Sequence, residues 1–137
     1  MKVVIDTNVL LSSIARSSKD RPIFDGIIQS KFVLAVSNDI IGEYAEVLER
    51  NITPKISENI MDFLMELNNV QKTDIFFHWN LIHKDPDDNK FVDCAISAGV
   101  KYVVSEDKHF RILKDIAFPY VEVITADAFL EELKELY

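Results

Sequence analysis

Asp6, Glu43, Asp88 and Asp107 are four acidic residues placed where strands should give way to helices. Asp6 ends the run Val3-Val4-Ile5, and Asp107 follows Tyr102-Val103-Val104-Ser105. Glu43 comes early in one expected helix, and Asp88 opens another. In an open α/β sheet, ligands bind in the crevice beyond the carboxyl ends of the strands. One rim of such a sheet could therefore collect all four side chains. Carboxylates brought together raise each other's pKa, and a cation relieves the repulsion. A ligand set made only of oxygen suits Mg²⁺ or Mn²⁺. Two such ions can activate a water and stabilise the leaving oxygen of a phosphodiester. The third position is contested, because Asp85, Asp87, Asp88 and Asp93 lie close together. Ordinary helix N-terminal charge accounts for Asp87 and Asp127. It accounts poorly for Asp6, at the end of a hydrophobic strand. His78, His83 and His109 lack the paired spacing of a zinc motif and read as solvated loop residues.

The elements that must hold these acids are legible in the hydrophobic pattern. Val3-Val4-Ile5 and Phe32-Val33-Leu34-Ala35-Val36 are apolar without alternation, as in strands of a parallel sheet buried on both faces. Thr7 and Asn8 are N-cap candidates, and Val9, Leu10, Leu11 and Ile14 continue at helical spacing to an end near Arg16. Pro22 suits the first turn of a short second helix carrying Ile23, Phe24, Ile27 and Ile28. Ser37 or Asn38 caps a helix from Asp39 to Asn51 with an apolar stripe at Ile40, Ile41, Tyr44, Val47 and Leu48. Glu43 adjoins that stripe, whereas Glu46 and Glu49 read as solvated. After Pro54, residues Ile56, Ile60, Phe63, Leu64 and Leu67 define another helix. Thr73 to Phe77 reads as a third strand. A helix through Phe91, Val92, Ala95 and Ile96 ends at Gly99, a good C-terminal cap. Tyr102 to Ser105 and Tyr120 to Ile124 read as strands, with a helix through Ile112 and Leu113 between them. Thr125 or Asp127 caps a closing helix whose Ala128, Phe129, Leu133 and Leu136 face inward. This alternation predicts a parallel α/β sheet with right-handed crossovers.

Composition narrows the function. A chain of 137 residues is long enough for one domain with a real core. The single cysteine, Cys94, precludes an internal disulfide, points to a reducing cytoplasm and reads as a small core residue. No run is long and apolar enough to span a membrane, and the start lacks a signal-peptide pattern. A net charge of −8 argues against broad electrostatic binding of nucleic acid, so any such contact must use local basic groups. Arg16, Lys19 and Arg21 follow the Asp6 helix, and Lys108, Arg111 and Lys114 follow Asp107, so both clusters are expected to flank the site. With three glycines and neither GxGxxG nor GxxxxGK[ST], dinucleotide and P-loop readings have no footing.

Together these segments resemble the PIN domain, the fold of many metal-dependent ribonucleases. The resemblance is carried by Val4-Ile5-Asp6-Thr7-Asn8-Val9-Leu10 and by Ser37 through Glu43. It continues through Asp85-Pro86-Asp87-Asp88-Asn89-Lys90-Phe91, with Ala95 and Ala98-Gly99, and through Tyr102 to Asp107. The nearest branch looks like the VapC toxins of bacterial toxin–antitoxin pairs. The resemblance implies a single three-layer domain over residues 1–137, a central parallel sheet flanked by helices. It also implies an Mg²⁺ or Mn²⁺ site, endoribonuclease activity on RNA, inhibition by a cognate antitoxin and frequent homodimers in the cytoplasm. Asp6, Glu43 and Asp107 match the first, second and fourth acids of the family. The third stands eleven residues before a helix-ending glycine, which selects Asp88 ahead of Gly99 and leaves Asp93 as an outer ligand. Asn8 matches a polar residue that supports the first acid. Ser105 stands where threonine is common and keeps the hydroxyl. A phosphatase using an aspartate nucleophile would need a second Asp at position 8. A receiver domain would need a paired acid after the first strand and a late lysine. A non-catalytic PIN-like scaffold or RNA-processing regulator is the alternative from another class, and would normally have lost one or more acids.

Overall fold

The computed structural model describes residues 1–136. The order is β1 (Lys2–Ile5), α1 (Thr7–Ile14), α2 (Arg21–Ile28), β2 (Val33–Val36), α3 (Asn38–Asn51), α4 (Pro54–Glu66) and β3 (Val70–Lys72). After a 3₁₀ turn at Pro86–Asp88 come α5 (Asn89–Ala98), β4 (Tyr102–Val104), a 3₁₀ segment at Lys108–Asp115, β5 (Val123–Ile124) and α6 (Ala126–Glu135). All pairings are parallel, in the order β3-β2-β1-β4-β5. The chain winds outward from β1 to β3, then returns to build β4 and β5 on the other side. The switch point lies between β1 and β4, and a crevice opens there at the carboxyl ends of the strands.

Val3, Val4 and Ile5 have no exposed surface, so the central strand is covered on both faces. Leu34, Val103 and Val104 are equally buried, and Phe91, Phe110 and Phe129 fill the core around them. Cys94 lies among these residues, and burial pushes its thiol up to about 12, as befits an inert core group. Ser37 caps α3, Thr53 caps α4 and Thr125 caps α6, each hydroxyl accepting an amide from the first turn. Gly99 closes α5 with φ +64°, a left-handed position that a Cβ disfavours.

Several expected elements shift. The cap position of α1 falls on Asp6, whose side chain makes no capping bond, and Thr7 and Asn8 lie inside the helix. The third strand is Val70–Lys72, not Thr73 to Phe77. It is a short edge strand with Gln71 and Lys72 exposed, so its sequence carries little apolar signal. Phe76 and Phe77 are exposed instead, in an irregular segment that continues to Lys84. The last strand shrinks to Val123–Ile124, and 3₁₀ turns replace the helix expected around Ile112. In α6 the inward residues are Ala126, Phe129 and Leu133, while Ala128 and Leu136 are exposed.

Candidate metal centre

The rim at the switch point is built at strand ends anchored in the core. The Asp6 amide donates to the Val104 carbonyl at 2.9 Å, which extends the β1–β4 pairing one residue into the crevice. Beneath it, the buried Tyr44 hydroxyl donates to the Ile5 carbonyl and locks α3 against the end of β1. Asp6 is 6% exposed, and its Oδ2 accepts a 2.7 Å bond from the Ser105 hydroxyl. The same hydroxyl accepts the Asp107 amide at 3.0 Å. Ser105 thus couples the first acid to the backbone that carries the fourth. Asp107 Oδ1 accepts the His109 amide at 2.9 Å and starts the 3₁₀ segment.

Glu43 arrives from α3 between two partners. Its Oε2 accepts from the Thr7 hydroxyl, and its Oε1 lies 2.7 Å from Lys90 Nζ. Lys90 was not anticipated as a partner, because 47 residues separate it from Glu43. Burial alone would lower its pKa, but the bond and charge of Glu43, aided by Asp87 and Asp39, outweigh it and the net shift is upward. Thr7, not Asn8, makes the polar contact to an acid. Asn8 is exposed, and its side chain makes no hydrogen bond among the described residues.

Asp88, Asp85, Asp107 and His109 form the tightest group, with one ligand atom from each lying within 4.8 Å of the others. His109 Nδ1 is 3.4 Å from Asp107 Oδ1, 3.6 Å from Asp88 Oδ2 and 3.9 Å from Asp85 Oδ2. An imidazole nitrogen converges on the acids, at a histidine whose sequence reads as a solvated loop residue. The two-residue step from Asp107, folded into a 3₁₀ turn, brings the ring back over the carboxylate. No short sequence motif reports such a turn. Asp85 enters because the Pro86–Asp88 turn reverses the chain just ahead of α5.

The electrostatics join these groups to Asp6. Burial raises the Asp88 pKa most, with Asp107, Asp85 and Asp6 adding to it, and the group rises from an ordinary 3.8 to about 7. Burial also raises Asp6, opposed by the Ser105 hydroxyl and the Thr7 amide and reinforced by Asp107 and Glu43. Asp88 Oδ2 and His109 Nδ1 are buried and have no hydrogen-bond partner. Buried polar atoms are rarely left so. A divalent cation would satisfy both and offset the clustered charge, so the residues present fit a metal.

The other expected site residues lie apart. Asp93 follows Asp88 by five positions, about 140° further around a helix. One of its oxygens accepts the Trp79 amide at 3.0 Å, and the other lies 3.2 Å from His78 Nδ1. It pins the irregular segment to α5 rather than joining the cluster. Asn89 does the same, exchanging two hydrogen bonds with the Ile82 backbone. Lys19 pairs with Asp127 of α6 at 2.7 Å, and Arg21 with Asp25 at 2.9 Å and the Ile14 carbonyl, so each charge already has a partner within the fold. Arg16 is exposed in the α1–α2 turn. Lys108 and Arg111 line a cleft of about 500 Å³ with Lys84 and His109, which sets basic groups beside the acidic cluster.

The sequence model of the PIN domain matches residues 2–109. Among solved structures, the chain is similar to VapBC2 from Rickettsia felis bound to a DNA fragment from its promoter. The identity is 12% and the TM-score 0.64, over 91% of this chain and 98% of that one. PAE2754 from Pyrobaculum aerophilum gives 12% and 0.64, over 98% and 90% of the two chains. DNA-bound VapBC from Salmonella typhimurium gives 15% and 0.57, over 92% and 98%. At these identities the similarity is one of fold. No curated protein sequence matches the chain.

Proposed function

The chain belongs to the PIN-domain family, and from that premise we propose that it is a divalent-metal-dependent endoribonuclease, the toxin of a toxin–antitoxin pair. The observation that carries the reading is the buried carboxylate cluster at the β1–β4 switch point, with the Asp88 Oδ2 left unpaired. Asp6, Asp88 and Asp107, with Glu43 beside them, would hold Mg²⁺ or Mn²⁺. When bound, such ions supply Lewis acidity toward a phosphodiester and lower the pKa of water. The protein's own part is to position and to neutralise. Ser105 orients Asp6, and Thr7 and Lys90 orient Glu43. Lys108, Arg111 and Lys84 would meet the phosphates of RNA beside the cluster.

The VapBC neighbours support an antitoxin partner, and a homodimer in the cytoplasm completes the proposal. Among the described residues no helix is long and apolar enough to cross a membrane. We take residues 1–137 as one functional domain. Induced expression of the wild-type chain in a bacterium should arrest growth and fragment cellular RNA, and Asp6→Asn should do neither. Equal growth arrest by both would remove the nuclease reading.

A further inference from the structure

The carboxylates beside Asp107 are not alone. His109 Nδ1 sits 3.4–3.9 Å from oxygens of Asp107, Asp88 and Asp85. These separations exceed hydrogen-bond length, and the nitrogen has no hydrogen-bond partner. They lie instead between the adjacent and opposite ligand separations of an octahedral site, so a small inward movement of the side chains would bring all four onto one cation. Ligand atoms about 2.1 Å from one octahedral cation lie about 3.0 Å apart when adjacent and about 4.2 Å apart when opposite. The buried Asp88, 8% exposed, aims an unpartnered oxygen into the same space.

We infer that Asp85 and His109 complete one cation position with Asp88 and Asp107, a mixed nitrogen–oxygen site that selects Mn²⁺ over Mg²⁺. It rests on the metal-site reading proposed above and adds a nitrogen ligand to it. The chemistry sets the selectivity. Mn²⁺ is itself mainly an oxygen-binding ion, but as a transition ion it accepts an imidazole more readily than Mg²⁺, which prefers oxygen and retains its waters. Asp85 would supply charge to the site, and His109 would supply the preference.

Pulsed electron paramagnetic resonance on the purified chain with Mn²⁺ reads the nitrogen directly, and calorimetry reads affinity. Wild type should show ¹⁴N modulation from one histidine, and His109→Gln should lose it. The variant should lose about tenfold or more in Mn²⁺ affinity and far less in Mg²⁺ affinity. Asp85→Asn should weaken both ions and keep the nitrogen signal. His83→Ala, in an exposed loop, should change neither. Circular dichroism melts of each variant in chelator establish that it is folded. If folded His109→Gln keeps the nitrogen signal, or loses Mn²⁺ and Mg²⁺ affinity alike, the inference is overturned while the metal site stands. If wild type binds neither ion, the metal-site reading itself fails.

Discussion

Replacing Asp88 by Asn should make the metal-free protein more stable and the metal-loaded protein inactive. Asp88 is buried beside Asp107, Asp85 and Asp6, and its pKa rises from 3.8 to about 7. The folded state therefore holds a proton that the unfolded chain has released between these values. Stability is greatest below about pH 4 and falls as pH rises through 7, because folding must then bury an unwelcome charge. At about 1.4 kcal/mol per pH unit, the full rise is worth about 4 kcal/mol. Solvent at the partly exposed Asp107 and Asp85 screens part of the repulsion, so about 2–4 kcal/mol is expected. For a chain of this length that is roughly 6–16 °C in melting temperature. Melts of wild type and Asp88→Asn in EDTA, from pH 4 to pH 8, measure it. The two should converge at pH 4 and separate by that amount at pH 8. A variant that melts below wild type at pH 8, with an unchanged pH profile, would refute the argument that Asp88 is a destabilised charge.

Other perturbations follow from neighbouring contacts. Asp6→Asn removes a second carboxylate with a raised pKa, so it should raise the melting temperature in chelator at pH 8 and reduce the further rise that Mn²⁺ gives wild type; thermal melts read both. Lys90→Met strips Glu43 of its 2.7 Å cation and should cost about 1 kcal/mol without metal, measured by urea unfolding. Arg111→Ala should flatten the salt dependence of RNA binding by about one unit of slope, whereas Lys19→Ala, whose ammonium is paired with Asp127, should leave the slope unchanged.

The parts of this account visible in the sequence are those where one residue reports its own environment. Val3-Val4-Ile5 can be so apolar only if both faces are covered, and an acid that ends such a strand is conspicuous. Gly99 reports its left-handed cap in the same way. The parts hidden are those where distant residues meet. Lys90 and Glu43 lie 47 positions apart, and neither carries a mark of the other. His109 looks like any loop histidine until a 3₁₀ turn folds it over Asp107. Asp93 resembles a ligand by type and spacing, but its place on the helix directs it to Trp79 and His78. The edge strand Val70–Lys72 was obscured because an edge needs little burial, while the apolar Ile75-Phe76-Phe77 nearby suggested a strand that does not form. There the aromatic rings are partly satisfied by each other, with Phe77 against Trp79 at 4.6 Å between centroids.

Cleavage of defined RNAs by the purified chain, free of contaminating nuclease, tests the central claim most directly. With Mn²⁺ at millimolar concentration, wild type should cut single-stranded RNA internally. EDTA should stop the reaction, fresh Mn²⁺ should restore it, and folded Asp6→Asn should remain inert throughout. Undiminished cleavage in EDTA, or full cleavage by Asp6→Asn, would contradict a metal-dependent ribonuclease built on this cluster.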